Sequence, residues 1–77
     1  NQTEIAYNLK TTQDVTIQVF NTKGQKVRTL VNGTMNAQLH NVSFDGRADD
    51  GSLLPAGVYM YQLNAGNHTD SKKLIIR

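Results

Sequence analysis

Three kinds of side chain in this 77-residue chain could do chemistry: the acids of D-G-R-A-D-D-G from Asp45 to Gly51, the histidines His40 and His68, and the serines Ser43, Ser52 and Ser71. The acids suggest a calcium loop. An EF-hand needs oxygen ligands at alternate positions, glycine at the sixth and glutamate at the twelfth. Counted from Asp45, those places hold Arg47 at the third, Asp50 at the sixth and Ala56 at the twelfth, so the pattern fails. The reading left is a polar connection whose aspartates accept from backbone N–H groups. A catalytic histidine needs a nucleophile or an orienting carboxylate within reach. Neither histidine has a motif around it, and no serine lies in a G-x-S-x-G turn. With no cysteine, thiolate metal sites and disulfides are excluded. No catalytic residue, metal ligand or cofactor is expected, and a sandwich this small leaves little room for a pocket of ~300 Å³.

Two further groups could bind rather than react. Tyr7, Phe44, Tyr59 and Tyr61 could stack on sugars, but Tyr59 and Tyr61 share strand parity with Leu63, and tryptophan is absent. Core packing explains them better. Lys72 and Lys73, with Arg77, form a small basic element on the last predicted strand. Lysines there protect an edge, and they can equally be a tag held on a folded support. The formal charge of +2 is scattered, which is not the one-sided patch of a nucleic-acid binder. No apolar run approaches the ~18 residues of a membrane span, and these residues are read as holding no signal peptide. A chain starting at Asn1 reads as a piece of a longer polypeptide. N-x-S/T sequons at Asn1, Asn32, Asn41 and Asn67 reflect turn and strand composition rather than glycosylation.

The elements that must position these groups are all strands. Ile5, Tyr7 and Leu9 alternate with polar neighbours, and so do Val15, Ile17 and Val19. Thr11 to Asp14 is a polar turn, and Asn21-Thr22-Lys23-Gly24 is a hairpin turn. A strand follows from Gln25 to Val31. In it Val27 and Leu30 have opposite parity, which a bulge near Thr29 would reconcile. Asn32-Gly33 signals a second turn, and Thr34 to Gln38 reads as irregular. Leu39 to Phe44 is a strand with Val42 and Phe44 on one face. Pro55, lacking an N–H, belongs at a strand entrance. Gly57 to Asn64 is a strand with its tyrosine face buried and with Val58 and Met60 giving some cover to the other face. Ala65-Gly66-Asn67 turns the chain into a last strand from His68 to Arg77, with Leu74 and Ile76 opposite Lys73 and Ile75. This spacing predicts one all-β domain over 1–77, an antiparallel sandwich of six or seven strands.

At these residues the chain resembles a known type. In order come A-Y-N-L-K, V-T-I-Q-V-F-N-T-K-G-Q-K-V-R-T-L-V-N-G, F-D-G, L-P-A-G-V-Y-M-Y-Q-L and K-K-L-I-I-R. The set resembles the C-terminal sorting domains of the type IX (Por) secretion system of Bacteroidetes, and is similar to the Ig-like domain of flagellar hook-capping proteins. In both, the place of Phe44 is commonly tryptophan. The D-G-R-A-D-D-G stretch leans to the hook-cap type, and an end at Arg77 within the last strand leans to the sorting type. The sorting resemblance implies an Ig-like fold and an exported protein, in the periplasm or at the cell surface. It implies an attached N-terminal cargo domain, an outer-membrane translocon and a sortase as partners, and no enzymatic activity. It places translocon recognition on Gly57, Tyr59, Lys72, Lys73, Leu74, Ile75, Ile76 and Arg77, with strand addition along the last strand as one physical means. The alternatives are a glycan-binding or spacer module of a secreted enzyme, and a hook-cap-type structural domain.

Overall fold

A computed structural model describes residues 3–77; Asn1, with its sequon, lies outside them. Six strands follow one another: β1 (Thr3–Asn8), β2 (Gln13–Phe20), β3 (Lys26–Met35), β4 (Leu39–Phe44), β5 (Gly57–Ala65) and β6 (His68–Ile76). They form a two-stranded sheet, β1-β4, and a four-stranded sheet in the order β3-β2-β5-β6. Every pairing is antiparallel. This is the expected all-β sandwich with an Ig-like arrangement.

The alternation read in the sequence sets the core. Val15, Ile17 and Val19 of β2 point inward, and β2 sits between β3 and β5, so these are among the least exposed side chains. Ile17 packs with Leu9, Val31 and Ala65 at one end of the sandwich. Val19 packs with Phe44, Tyr59 and Leu74 at the other. Phe44, 1% exposed, is the largest fully buried side chain, and it crosses from the small sheet to the large one.

β3 departs from the sequence reading in two ways. The expected bulge near Thr29 is two bulges. Ile17 pairs Val31 but Gln18 pairs Thr29, leaving Leu30 extra; Val19 pairs Arg28 but Phe20 pairs Lys26, leaving Val27 extra. Each extra residue resets the strand's alternation, so Val27 and Leu30, of opposite parity, both reach the core. The second departure is a correction. Asn32-Gly33 is not a turn: Asn32 pairs Thr16, Gly33 pairs Val15, and the strand runs on to Met35. The β2 ladder overrides the local preference there, and Thr34 Oγ1 donates to Asp14 Oδ1 across it at 2.7 Å. Elsewhere the turns fall where glycine puts them. Asn21 Oδ1 accepts from the N–H groups of Lys23 and Gln25 beside Gly24 at φ +83°. The two-residue β5–β6 turn has Gly66 at φ +60° in its first position, as a type II′ hairpin requires.

A further correction concerns β5. Tyr59 is buried as expected, but Val58 and Met60 are 46% and 48% exposed. Nothing among the described residues packs over the outer face of the four-stranded sheet, because the only other sheet lies on the inner side.

Candidate interaction surface

Most of the groups with chemical potential are held in structural roles. Asp45 Oδ1 accepts from the Arg47 N–H at 3.1 Å and from the Arg28 guanidinium at 3.2 Å. Arg28 also donates to the Arg47 carbonyl at 2.9 Å. Asp50 Oδ1 accepts from both the N–H and the hydroxyl of Ser52. These two bonds favour the ionised form and hold the Asp50 carboxyl below its ordinary range. Asp49 does something different. Its Oδ1 accepts from the Thr29 N–H at 3.0 Å, and its own N–H donates to the Val27 carbonyl at 3.0 Å. The 45–54 loop is thereby stitched to the edge of β3 at its bulges. The aspartates are engaged in backbone accounting, as the loop reading anticipated.

His40 pairs with Tyr7 across β1 and β4, and their rings stack with centroids 5.1 Å apart. His40 Nε2 bonds the Asn36 carbonyl at 2.8 Å. Partial burial raises the Tyr7 phenol above its usual range. His68, at the β5–β6 turn, is exposed. Tyr59 is 7% exposed, and its hydroxyl donates to the Pro55 carbonyl at 2.7 Å. With Tyr59 and Phe44 in the core and Tyr7 on His40, these rings do not assemble into an exposed sugar platform.

The residues singled out near the C-terminal end do come together. Gly57 pairs Ile76, Val58 pairs Ile75, Tyr59 pairs Leu74, and Tyr61 pairs Lys72. Their exposures divide them sharply. Leu74 and Tyr59 are core, and Ile76 is partly buried. Lys72, Lys73 and Ile75 are exposed on β6, and Arg77 is exposed just beyond it. A partner meeting the folded domain can touch the second group; the first supports it from below.

The outer face holds what sequence reasoning missed. Phe20, Val58, Met60 and Lys73, with the 21–24 turn curling beside them, line an open hollow of about 690 Å³. This hollow exceeds the ~300 Å³ for which so small a sandwich was expected to leave little room, because it forms on the uncovered outer face of the sheet and not between the sheets. The signal was present as even-numbered apolar residues, Phe20, Val58 and Met60, out of phase with the buried set.

A sequence profile of the FlgD Ig-like domain matches residues 1–69. Among solved structures, the crystal structure of FlgD from P. aeruginosa is similar, with a TM-score of 0.73 at 22% identity, covering 97% of this chain and 59% of that one. At that identity the likeness is one of fold, and the chain spans less than two thirds of the FlgD chain. No functionally curated protein matches. Together the profile, covering most of the chain, and the six-stranded sandwich identify it: the chain belongs to the FlgD Ig-like domain family.

Proposed function

We propose that this chain is a non-catalytic structural module of the hook-cap type, one part of a longer exported protein that works by taking its place in an extracellular assembly. The observation that carries the reading is the profile match over residues 1–69. The site chemistry supports it. Asp45, Asp49 and Asp50 hold backbone and Arg28, and His40 holds the Asn36 carbonyl, so these side chains organise a rigid body. The test is domain exchange. Residues 1–77 replace the Ig-like domain of P. aeruginosa FlgD, and hooks are counted by electron microscopy alongside swimming. Hooks assembled by the chimera support the reading. A stable, exported chimera that assembles none rejects it.

A second reading is favoured by one specific observation, the exposed Lys72, Lys73 and Ile75 on a strand at the border of the sheet. In it the domain is a type IX sorting signal. An N-terminal cargo is carried through the outer-membrane translocon, a sortase cuts upstream of the domain, and Lys72 to Arg77 are the part that is read. Residues 1–77 fused to a periplasmic reporter in a type IX-competent host test it. Surface delivery that persists after removal of residues 72–77 sinks this reading and leaves the first.

A further inference from the structure

Two strands border the four-stranded sheet, and the molecule treats them differently. β3 is closed as a pairing edge. Two bulges break its regularity, and Asp49 occupies the Thr29 N–H and the Val27 carbonyl that a neighbouring strand would use. β6 has neither device. It runs nine residues against β5 with no register shift, and among the described residues no strand pairs with its outer side. What β6 carries instead is charge: Asp70, Lys72 and Lys73, all exposed, followed by Ile75, 52% exposed on the outer face.

We propose that β6 is a docking edge for an extended, acidic segment of a partner protein, which adds to the sheet as a fifth strand. The docking edge depends on neither reading of function; to the strand addition that the sorting resemblance implies it adds the sign and the register of the partner strand. Main-chain bonds to an open edge supply affinity without regard to sequence, so specificity must come from the flanking side chains. Every pairing in this sheet is antiparallel, and antiparallel addition continues it. Run antiparallel, the complement of β6 is defined position by position. An apolar residue opposite Ile75 covers it and extends the Val58–Ile75 row. A second apolar residue faces Leu74. Two consecutive carboxylates then oppose Lys73 and Lys72, one on each face of the sheet. One residue further come a spacer opposite Ser71 and a cation opposite Asp70.

A second copy of this chain fits less well. The antiparallel register that pairs all nine residues of two β6 strands sets Lys72 directly opposite Lys72, which is destabilising; a two-residue slip sets Lys72 opposite Asp70 twice but leaves only seven residues paired. The lysines therefore act as a filter. They discourage full-length self-pairing, and they favour a strand of opposite sign.

The test uses the isotope-labelled 77-residue chain and two blocked peptides. One is Thr-Val-Val-Glu-Glu-Thr-Lys-Thr; the other has its charges reversed, Thr-Val-Val-Lys-Lys-Thr-Glu-Thr. Amide shift changes and exchange protection should concentrate in residues 69–76 with the first peptide. It should bind on the order of tenfold tighter than the second at low salt, with the ratio shrinking at high salt. The Lys72→Glu/Lys73→Glu double variant should invert the preference; its sites are exposed, so the fold is kept, and its amide spectrum confirms this. Four outcomes overturn the proposal. They are equal affinity for the two peptides, shifts centred on β3 or on the Phe20–Met60 hollow, no β6 response at millimolar peptide, and concentration-dependent β6 shifts of the chain alone, which would make the occupant a second copy.

Discussion

Phe44 sits where both sheets converge, against Val19, Tyr59 and Leu74. Truncation to alanine removes a fully buried ring and leaves a cavity, at a cost of about 3–5 kcal/mol. For a domain of this size that is most of its stability, so Phe44→Ala should show a largely unfolded population in urea melts monitored by circular dichroism. Asp50 offers a gentler test. The Ser52 N–H and hydroxyl stabilise its carboxylate, and the folded pKa is depressed. A depressed carboxyl adds stability that is present above its unfolded pKa and is lost as pH falls through the folded value. Ser52→Ala removes the hydroxyl bond, so the Asp50 titration followed by NMR should move up toward the ordinary carboxylate range. Asp50 is fully exposed, and the visible effect is on its own titration rather than on the melting curve.

Between elements, the decisive contrast is how the two borders of the large sheet are finished. Asp49→Ala frees the Thr29 N–H and loosens the 45–54 loop from β3. The direct loss is one partly exposed hydrogen bond, roughly 0.5–1 kcal/mol, together with the partly exposed ion pair of Asp49 Oδ1 with Arg28 Nε at 3.9 Å. The larger consequence is a β3 border guarded by its bulges and the Val27 carbonyl's bond alone. Static light scattering of the variant should show association at concentrations where the parent chain stays monodisperse. If the variant is as monodisperse as the parent, the loop is not what guards β3. The same strand shows why local signals mislead. Asn32-Gly33 has turn chemistry, yet its backbone groups have partners waiting on β2, and in a ladder that gain outweighs a turn preference. The bulges were half legible: opposite parity at Val27 and Leu30 required a shift, but only the pairing with β2 reveals one at each.

The whole molecule measures 36 × 22 × 20 Å, and its two sheets are unequal. The two-stranded sheet spans only part of the inner face, so Tyr61 and Leu63 remain half-buried beside exposed Lys72 and Asp70. The fold is held by pairings distant in sequence, β1 with β4 and β2 with β5. Such contacts require loop closure before they give any return, which slows folding. Refolding followed by stopped-flow fluorescence of the tyrosines should fall in the millisecond-to-second range rather than in microseconds. Hydrogen exchange should be slowest in β2, central and buried, and faster in β6, whose outer side faces no described strand.

The sequence by itself determined the strands, most turns and the buried face of each, because alternation with period two and glycine's tolerance of positive φ are local facts. It also determined that the acids of the 45–51 stretch cannot form an EF-hand. The lysines of the last strand already marked it as an edge; only the tertiary structure decided that β3 is the other border, that it is the sealed one, and which face of β5 is left bare. Those depend on strand order and on one aspartate reaching a strand 20 residues away, and neither is written in any local pattern.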